Sequence, residues 1–491
     1  MPLHPTHRHP VRSPVPMITS HRSSAGYPFP LPDRTWLWLA VGLLMLVRPT
    51  MAQTTLDSLI TAALQVSPDL QASWARAEGS LAQVAEARAA RTLPGLSFST
   101  VQSVAPTITN PNGVPNEARY LDPDVRNDWT DLSPYLYAEM SAVQPIYTWG
   151  ALQRTMDAAT AAADLAEAQH HEARDDVALR TGRLYFGLLA ARNLTDLAQE
   201  AARLVGQAKS EIQAMLDEGS DEVDDADLFE ALIAEQEIAA QAVEADEQRQ
   251  LLEHWLGRQV SLDPSVRFTL PAELAPVAPV TSALEDLQRI GLSARSEMAQ
   301  ASSALDARVA QADVARALTR PQLFVGISAN YGAAANRDWV PNPYVSDPFL
   351  RRSVRVGFGI RQSLDFDGNK ARIDRANARV SEVRAIQRAA EQVVLAEVEE
   401  AYRTVLIAHE TLTRREEALT LSKEWLRTEQ INFDLMLGDI ANLVKAVKAN
   451  LELRAAHIEA IQQYNQRVLA LYHATGTLAE QAEAASLFTS L

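Results

Sequence analysis

The sequence predicts a mainly helical chain with a small transmembrane β part, built as two tandem repeats of helix, strand pair, long helix and helix. Three observations predict this fold class. Alanine recurs throughout while aromatic residues make up only 6% of the chain, which suits closely packed helices. Apolar residues recur at helical spacing over very long segments, with short segments of alternating polarity between them. The same order of segments occurs twice, and such self-similarity indicates a repeat architecture.

The N-terminal segment has the features of a secretion signal. An apolar run from Trp36 to Val47 is followed by Thr50-Met51-Ala52-Gln53, which resembles a small-residue cleavage site. The run is shorter than the roughly 20 apolar residues of a membrane-spanning helix, and a buried core helix is the alternative. We therefore predict that residues 1–52 form a leader with a signal peptide, with Met17 as an alternative start, and that the mature chain is exported.

Composition excludes several classes of function. The 491 residues carry a net charge of −17, and cleavage after Ala52 would remove five arginines and one aspartate, leaving −21. Such an acidic chain is a poor partner for nucleic acid. The absence of cysteine excludes thiol catalysis and disulfides. The adjacent His170 and His171 would point in different directions on a helix. Because neither a catalytic constellation nor a phosphate loop can be assembled, we expect no enzyme, no cofactor and no metal site.

Four landmarks recur in the same order in the two halves of the chain. The pairs are Pro94 and Pro321, Gln144–Gly150 and Gln362–Gly368, Tyr185 and Tyr402, and Gly219 and Gly438. We predict repeat 1 at 53–263, a Pro-rich linker at 264–280, repeat 2 at 281–478 and a C-terminal tail at 479–491.

Each half contains a very long helical segment. From Lys370 to Leu437 neither proline nor glycine occurs, and the matching stretch from Ala151 to Asp217 holds only Gly182, Gly187 and Gly206. At 1.5 Å per residue each helix would be roughly 100 Å long. One predicted buried face comprises Val380, Val383, Ile386, Ala390, Val394, Val398, Tyr402 and Val405. Helices of this length are typical of coiled coils, so an intracellular scaffold rod is an alternative.

The segments of alternating polarity favour a membrane barrel over such a rod. Strands are predicted near 96–104 and 134–143 in repeat 1, and near 322–331 and 353–364 in repeat 2. In the last strand the predicted lipid-facing residues are Val354, Val356, Phe358 and Ile360, which alternate with arginine and glycine. Soluble hairpins show the same pattern, but two pairs at the same place in both repeats of an exported chain favour the barrel.

The strand pairs enclose long polar loops, predicted at about Ala105 to Asp131 and about Gly332 to Arg352. Long outer loops with short periplasmic links are typical of outer-membrane barrels. Bacterial barrels have at least about eight strands, and unpaired strand edges are not tolerated in lipid. Since one chain supplies four strands, several chains must share one barrel.

This arrangement resembles the TolC-type outer-membrane efflux protein family from about Thr54 to Gly476. The strand-helix junctions that carry the resemblance, with Tyr185, are Pro94, Pro145, Gly150, Pro321 and Gly368. The resemblance implies a homotrimer with a twelve-stranded barrel in outer-membrane lipid on an α-helical periplasmic tunnel. It also implies passive passage of solutes from periplasm to exterior, with a periplasmic adaptor protein and an inner-membrane pump as partners. The alternative class is a soluble periplasmic coiled-coil adaptor or scaffold protein.

The resemblance also implies a periplasmic tip at the two helical turns. The candidate gate or adaptor contact there comprises Gly219, Asp224, Asp225, Asp227, Gly438 and Asp439. Some members of the family carry constriction acids near the positions of Val444 and Val447, where this chain has none. Gate acids would therefore come from the first tip or from Asp439. The acidic run from Asp217 to Asp227 is equally typical of a solvated loop.

Overall fold

The computed structural model describes residues 55–219, 223–260, 269–339, 346–435, 437 and 440–488, all within one compact unit, Gln53–Leu491. The predicted leader lies outside these residues, as do the first part of the predicted linker, Gly438 and Asp439. The helices are α1 (Leu56–Val66), α2 (Pro68–Thr92), α3 (Ala151–Asp217), α4 (Asp225–Gln259), α5 (Leu284–Ala294), α6 (Ser296–Ala317), α7 (Phe366–Asp434), α8 (Ile440–Ala474) and α9 (Leu478–Glu483). The strands are β1 (Gly95–Thr109), β2 (Arg126–Tyr147), β3 (Gln322–Ala334) and β4 (Arg352–Arg361).

The chain is mainly helical with one small sheet, as predicted. Helix α3 has 67 residues and α7 has 69, so each is roughly 100 Å long. Helix α7 begins at Phe366, before the predicted Lys370, and ends at Asp434. The earlier start has a physical cause, because the Asp365 carboxylate accepts a hydrogen bond from the Gly368 amide at 3.0 Å and caps the first turn. A side chain at position 368 would collide with that carboxylate.

The long helices form two hairpins, α3 with α4 and α7 with α8, and α3 also packs on α8. The main hydrophobic core lies where α1, α3, α7 and α8 meet. Its fully buried residues include Ile60, Leu188, Val398, Leu469, Leu471 and Tyr464. The predicted apolar face of α7 is buried at Val394, Val398 and Val405, but Ile386 is 54% exposed. The end of α7 nearer the sheet therefore has an apolar side that this chain does not cover.

The four strands form one antiparallel sheet in the order β1-β2-β3-β4, so β1 and β4 are its two edges. The predicted loop from Ala105 to Asp131 is too long, because β1 continues to Thr109 and β2 begins at Arg126. Pro106 interrupts the alternation in the sequence, but it lies on an edge strand beside a register shift, where a proline is tolerated. Similarly, β3 continues to Ala334, and β4 ends at Arg361 rather than near 364.

The predicted C-terminal tail contains the short helix α9 and is docked against the core. Leu478 and Leu487 are buried in that core. An Asp175 carboxylate oxygen accepts a hydrogen bond from the Ala479 amide at 2.8 Å. The Phe488 amide donates to the Tyr472 hydroxyl at 2.9 Å. The end of the chain thus joins α3 to α8.

Asp175 provides a test of this docking through pH. Burial raises the pKa of its carboxyl above the ordinary value of 3.8, against the opposing effects of the Ala479 hydrogen bond, His473 and Arg174, while Glu297 adds to the rise. The folded state then binds the proton more tightly than the unfolded state, so this group destabilises the fold as pH rises above about 4. We expect Asp175→Asn, which keeps the accepting oxygen, to gain thermal stability relative to wild type as pH rises towards neutrality.

The measurement is the unfolding midpoint as a function of pH. The control is Asp176→Asn. Asp176 is 55% exposed and pairs with His473 at 3.0 Å, so this substitution removes a favourable ion pair and should bring no gain in stability. A stability difference between Asp175→Asn and wild type that does not change between acid and neutral pH would contradict the expectation.

Candidate functional site

The strand register divides the side chains of the sheet between two chemically different faces. Phe98 lies opposite Met140, which lies opposite Ala329, which lies opposite Val354. Successive residues of a strand alternate between faces, so the register assigns every other residue to the same side. We call this side the apolar face, and its large exposed residues are Leu96, Phe98, Met140, Ile327, Val354, Val356, Phe358 and Ile360. Phe358 is 87% exposed, which is costly in water and favourable in lipid.

The opposite side of the sheet, which we call the polar face, carries hydroxyl, amide and charged groups. One row across the strands comprises Ser97, Ser141, Ser328 and Arg355. The Ser97 and Ser141 hydroxyls are 2.6 Å apart. Glu139 and Asn330 belong to the next row, and the Tyr137 hydroxyl of the row beyond donates to Asn330 Oδ1 at 2.9 Å and lies 3.2 Å from Glu139 Oε2. This hydrogen-bonded surface suits contact with water.

Aromatic side chains lie at both ends of the apolar face. At the loop end, the Arg352 guanidinium stacks on Tyr331 and Trp339, with distances to the ring centroids of 5.6 Å and 5.1 Å. At the helix end, Tyr147 and Trp149 make an edge contact with centroids 5.0 Å apart. The rows between them span roughly 26 Å at 3.3 Å per residue. A band about 25 Å tall between aromatic girdles is what an outer-membrane strand presents to lipid.

The strand-helix junctions of the two halves contact each other. Gly150 has φ +84°, which favours glycine, and precedes the first turn of α3. Beside it, the Trp149 indole donates to the Pro321 carbonyl at 2.7 Å, and Arg320 lies 5.1 Å from the centre of the Trp149 ring. Pro94 lies between α2 and β1, and Pro145 lies at a register shift of β2. The structure thus joins the Gly150 turn to the Pro321 turn, while Gly368 lies in the capped start of α7.

A buried ion pair that the sequence did not reveal fixes the loop after β3. Arg337 and Asp347 are joined at 2.9 Å, and their side chains are only 3% and 12% exposed. Arg337 also donates to the Pro106 carbonyl of β1 at 2.5 Å and lies over the Phe349 ring at 4.8 Å. The pair therefore links the second loop to β1. In the sequence Arg337 is one arginine in a polar loop, and no spacing or periodicity distinguishes it.

At the first predicted tip, two of the candidate acids stabilise the start of α4. Asp224 accepts hydrogen bonds from the amides of Ala226 and Asp227 at 2.8 and 3.1 Å, and Asp227 Oδ2 accepts from the Asp224 amide at 3.0 Å. This reciprocal arrangement is a capping box. Asp225 is exposed. The remaining tip residue described is Gly219, which follows α3 with φ +74°.

The helices that adjoin the two predicted tips pack together through a small cluster of apolar side chains. Its buried residues are Ile212, Val223, Ala231 and Ile440. Val444 packs against this cluster. The cluster belongs to α3, α4 and α8, so the two tips are held beside each other.

Two further findings concern the residues that the structure describes. Within them, no three histidine or acidic side chains come close enough together to hold a metal ion. In the same part of the chain, no helix combines the length and the apolar character needed to cross a bilayer. His170 instead shares a hydrogen bond of 2.7 Å with the Ser73 hydroxyl.

The helical hairpins and the two-faced sheet together define the fold class of bacterial outer-membrane channels. Solved structures with this fold include three outer-membrane proteins. VceC of Vibrio cholerae is 18% identical, with a TM-score of 0.67, covering 86% of this chain and 96% of its own. CmeC of Campylobacter jejuni is 15% identical, with a TM-score of 0.68, covering 89% and 90%. MtrE of Neisseria gonorrhoeae is 17% identical, with a TM-score of 0.68, covering 86% and 88%.

The sequence also matches a model of a known protein family. Residues 290–477 match the family model described as outer membrane efflux protein. This confirms the resemblance drawn from the junction residues and Tyr185. A search of curated protein sequences finds no match. The members of the family are channels rather than enzymes.

The buried pair of Arg337 and Asp347 provides a test of the loop structure. Removing one partner leaves the other charge buried without compensation, which costs about 3–5 kcal/mol. We therefore expect Arg337→Ala to release the loop after β3 and to make it sensitive to protease on intact cells. The control is Asp338→Asn, because Asp338 is 70% exposed and pairs with Arg119 at 3.8 Å, so the change should cost less than about 1 kcal/mol. Equal protease sensitivity of the two variants would contradict a loop fixed by the buried pair.

Proposed function

We propose that this chain is one subunit of an outer-membrane channel of a tripartite efflux or secretion system, and that solutes pass through its pore from periplasm to exterior without energy input by the channel itself. The observation that carries the proposal is the sheet. One face exposes large apolar side chains between two aromatic ends, the other is lined by hydroxyls and charges, and the helices continue from one end. A wall of this kind suits lipid outside and water inside.

The open edges of the sheet support a closed assembly of several copies. Among the residues that the structure describes, β1 pairs with β2 alone and β4 with β3 alone, so each copy presents two unpaired edges. Backbone groups in lipid must be hydrogen-bonded, which β1 of one copy can achieve with β4 of the next. Three copies would give twelve strands, within the range of known barrels. We propose a homotrimer on the family resemblance, since the open edges alone require only more than one chain.

The helices support the same assembly. Helix α6 packs on both α3 and α7, whereas its counterpart α2 packs mainly on α3. Trp74 and Leu81 of α2 are 52% and 56% exposed, and Ile386 and Val393 of α7 are 54% and 51% exposed. We propose that α2 of one copy covers this side of α7 in the next copy. The helical part would then close into a tunnel with the same symmetry as the barrel.

The acidic tip fits the proposed partners. A periplasmic adaptor protein and an inner-membrane pump would meet the end of the tunnel, at the turns after α3 and after α7. Asp225 is exposed there, while Asp224 and Asp227 are occupied as helix caps. Symmetry would repeat Asp225 around one mouth, and carboxylate rings favour cations and attract basic surfaces. The soluble adaptor alternative has no support from the comparisons.

The register of β4 yields a test of the membrane placement. Phe358 lies on the apolar face and is 87% exposed, so Phe358→Arg should hinder assembly by about 2–4 kcal/mol if the site lies near the bilayer midplane. Arg361 lies on the polar face, stacked on Phe324 at 5.3 Å, so Arg361→Gln should assemble normally and alter ion selectivity instead. The measurements are the amount of oligomer in outer-membrane fractions and the reversal potential in planar bilayers.

Reversed outcomes for these two variants would mean that the faces are assigned the wrong way round. Release of the wild-type protein from envelopes without detergent would contradict the channel proposal altogether.

The tip yields a second test. We expect Asp225→Asn combined with Asp439→Asn to lower cation preference and to weaken adaptor binding at low salt, with thermal stability unchanged, because fewer carboxylates would surround the mouth. Asp224→Ala is the structural control, because it removes a helix cap worth about 1 kcal/mol and should lower stability. Unchanged selectivity and unchanged adaptor affinity in the double variant would mean that the acidic run is an ordinary solvated loop.

A further inference from the structure

A shallow groove crosses the apolar face near its loop end. Ala138 and Ala329, diagonal neighbours on β2 and β3, form its floor, where the surrounding positions carry much larger side chains. The walls are Phe98, Met140, Tyr331 and Val354. The groove has a volume of about 500 Å³. It is therefore an indentation in a surface that otherwise projects bulky apolar groups.

The groove lies on the lipid side of the proposed barrel. Phe98, Met140, Ala329 and Val354 form one row of the apolar face, and Ala138, Tyr331 and Arg352 belong to the next row on the same face. Pairing of β1 and β4 with neighbouring copies would extend the sheet at its edges and leave this face uncovered. An extended acyl chain is the apolar group that reaches such a surface in a membrane.

A cationic side chain lies at the end of this groove. The Arg352 guanidinium rests against the rings of Tyr331 and Trp339. Other arginines of the same loops are paired, Arg337 with Asp347 and Arg119 with Asp338. Within the described part of the chain, Arg352 has no carboxylate partner. Aromatic rings hold this planar guanidinium in place, and its N–H groups have no carboxylate partner in the described part of the chain. Such a group is suited to bind a phosphate through two parallel hydrogen bonds.

We propose that the groove and Arg352 bind one lipid molecule bearing a phosphate head group, with an acyl chain on Ala138 and Ala329 and the phosphate on the guanidinium. The inference rests on the proposed function, because it requires the sheet to lie in a membrane with the helices in the periplasm. The loop end then lies in the outer leaflet, so the lipid is lipopolysaccharide. Basic side chains beside apolar surfaces at membrane level recognise lipid head groups in this way.

The test uses the full-length protein reconstituted in phosphatidylcholine nanodiscs with added lipid A, followed by native mass spectrometry to count retained lipid A. We expect wild type to retain lipid A and Arg352→Gln to bind it at least about tenfold more weakly, because a charge-assisted interaction is lost. The matched control is Arg355→Gln, three residues along β4 on the polar face, which should retain lipid A as wild type does. Ala329→Leu, which fills the groove and keeps the arginine, should also lower retention.

Equal retention by wild type and Arg352→Gln would overturn the proposal, as would an equal loss in Arg355→Gln. Wild type that enters the discs but retains no lipid A would overturn the lipid site and leave the channel proposal intact. Wild type that does not enter the discs at all would overturn both.

Discussion

Backbone amides and carbonyls that enter lipid must all be hydrogen-bonded, and one copy of this chain brings only four strands to meet that requirement. Its inner strands β2 and β3 are paired on both sides, whereas β1 and β4 are paired on one. The same incompleteness occurs in the helical part, where α2 lacks the second neighbour that α6 has. In the proposed channel, the sheet and the helices would both be completed by a further copy of the chain, and folding of the membrane part would be inseparable from assembly.

The division of side chains follows from that constraint. Between β1 and β4 most of the large apolar groups lie on one face and the serines on the other, while aromatic rings lie at the two ends. In α3 the residues that neighbouring helices contact are mostly small, with buried alanines at Ala158, Ala161, Ala166 and Ala190. Small residues let helix backbones approach closely, which would suit the wall of the proposed tunnel. Large residues concentrate instead where α1, α3, α7 and α8 meet.

The sequence predicted the helices and strands because the spacing of apolar residues and the length of each segment are local properties of the chain. Alternation marked Val354 to Ile360, and uninterrupted helical spacing marked α3 and α7. Helix and strand ends were less predictable, because they depend on contacts. Helix α7 begins earlier than predicted because the Asp365 carboxylate accepts a hydrogen bond from the Gly368 amide. Strand β1 continues past Pro106 because it lies at the edge of the sheet.

The residues of the site also differ in how far the sequence alone could predict their roles. The sequence predicts Asp224 and Asp227 as tip acids, but their use as helix caps depends on a turn geometry that composition does not reveal. Arg337 and its partner Asp347 became visible only in three dimensions, as did the groove over Ala138 and Ala329, because each joins residues from different strands or loops. Asp439 and Gly438 lie outside the described residues, so their part in the tip stays a prediction.

In the proposed channel, the serines of the polar face would contact the solutes that pass through the pore. A hydroxyl both donates and accepts hydrogen bonds, so the row through Ser97, Ser141 and Ser328 can replace part of the hydration of cations, anions and neutral solutes alike. Exchanges with these three hydroxyls are not charge-assisted, so the serines themselves would hold no solute for long. In the proposed channel, and unlike a binding pocket, such a lining would favour fast transit over discrimination and would leave the choice of cargo to the partner that delivers it.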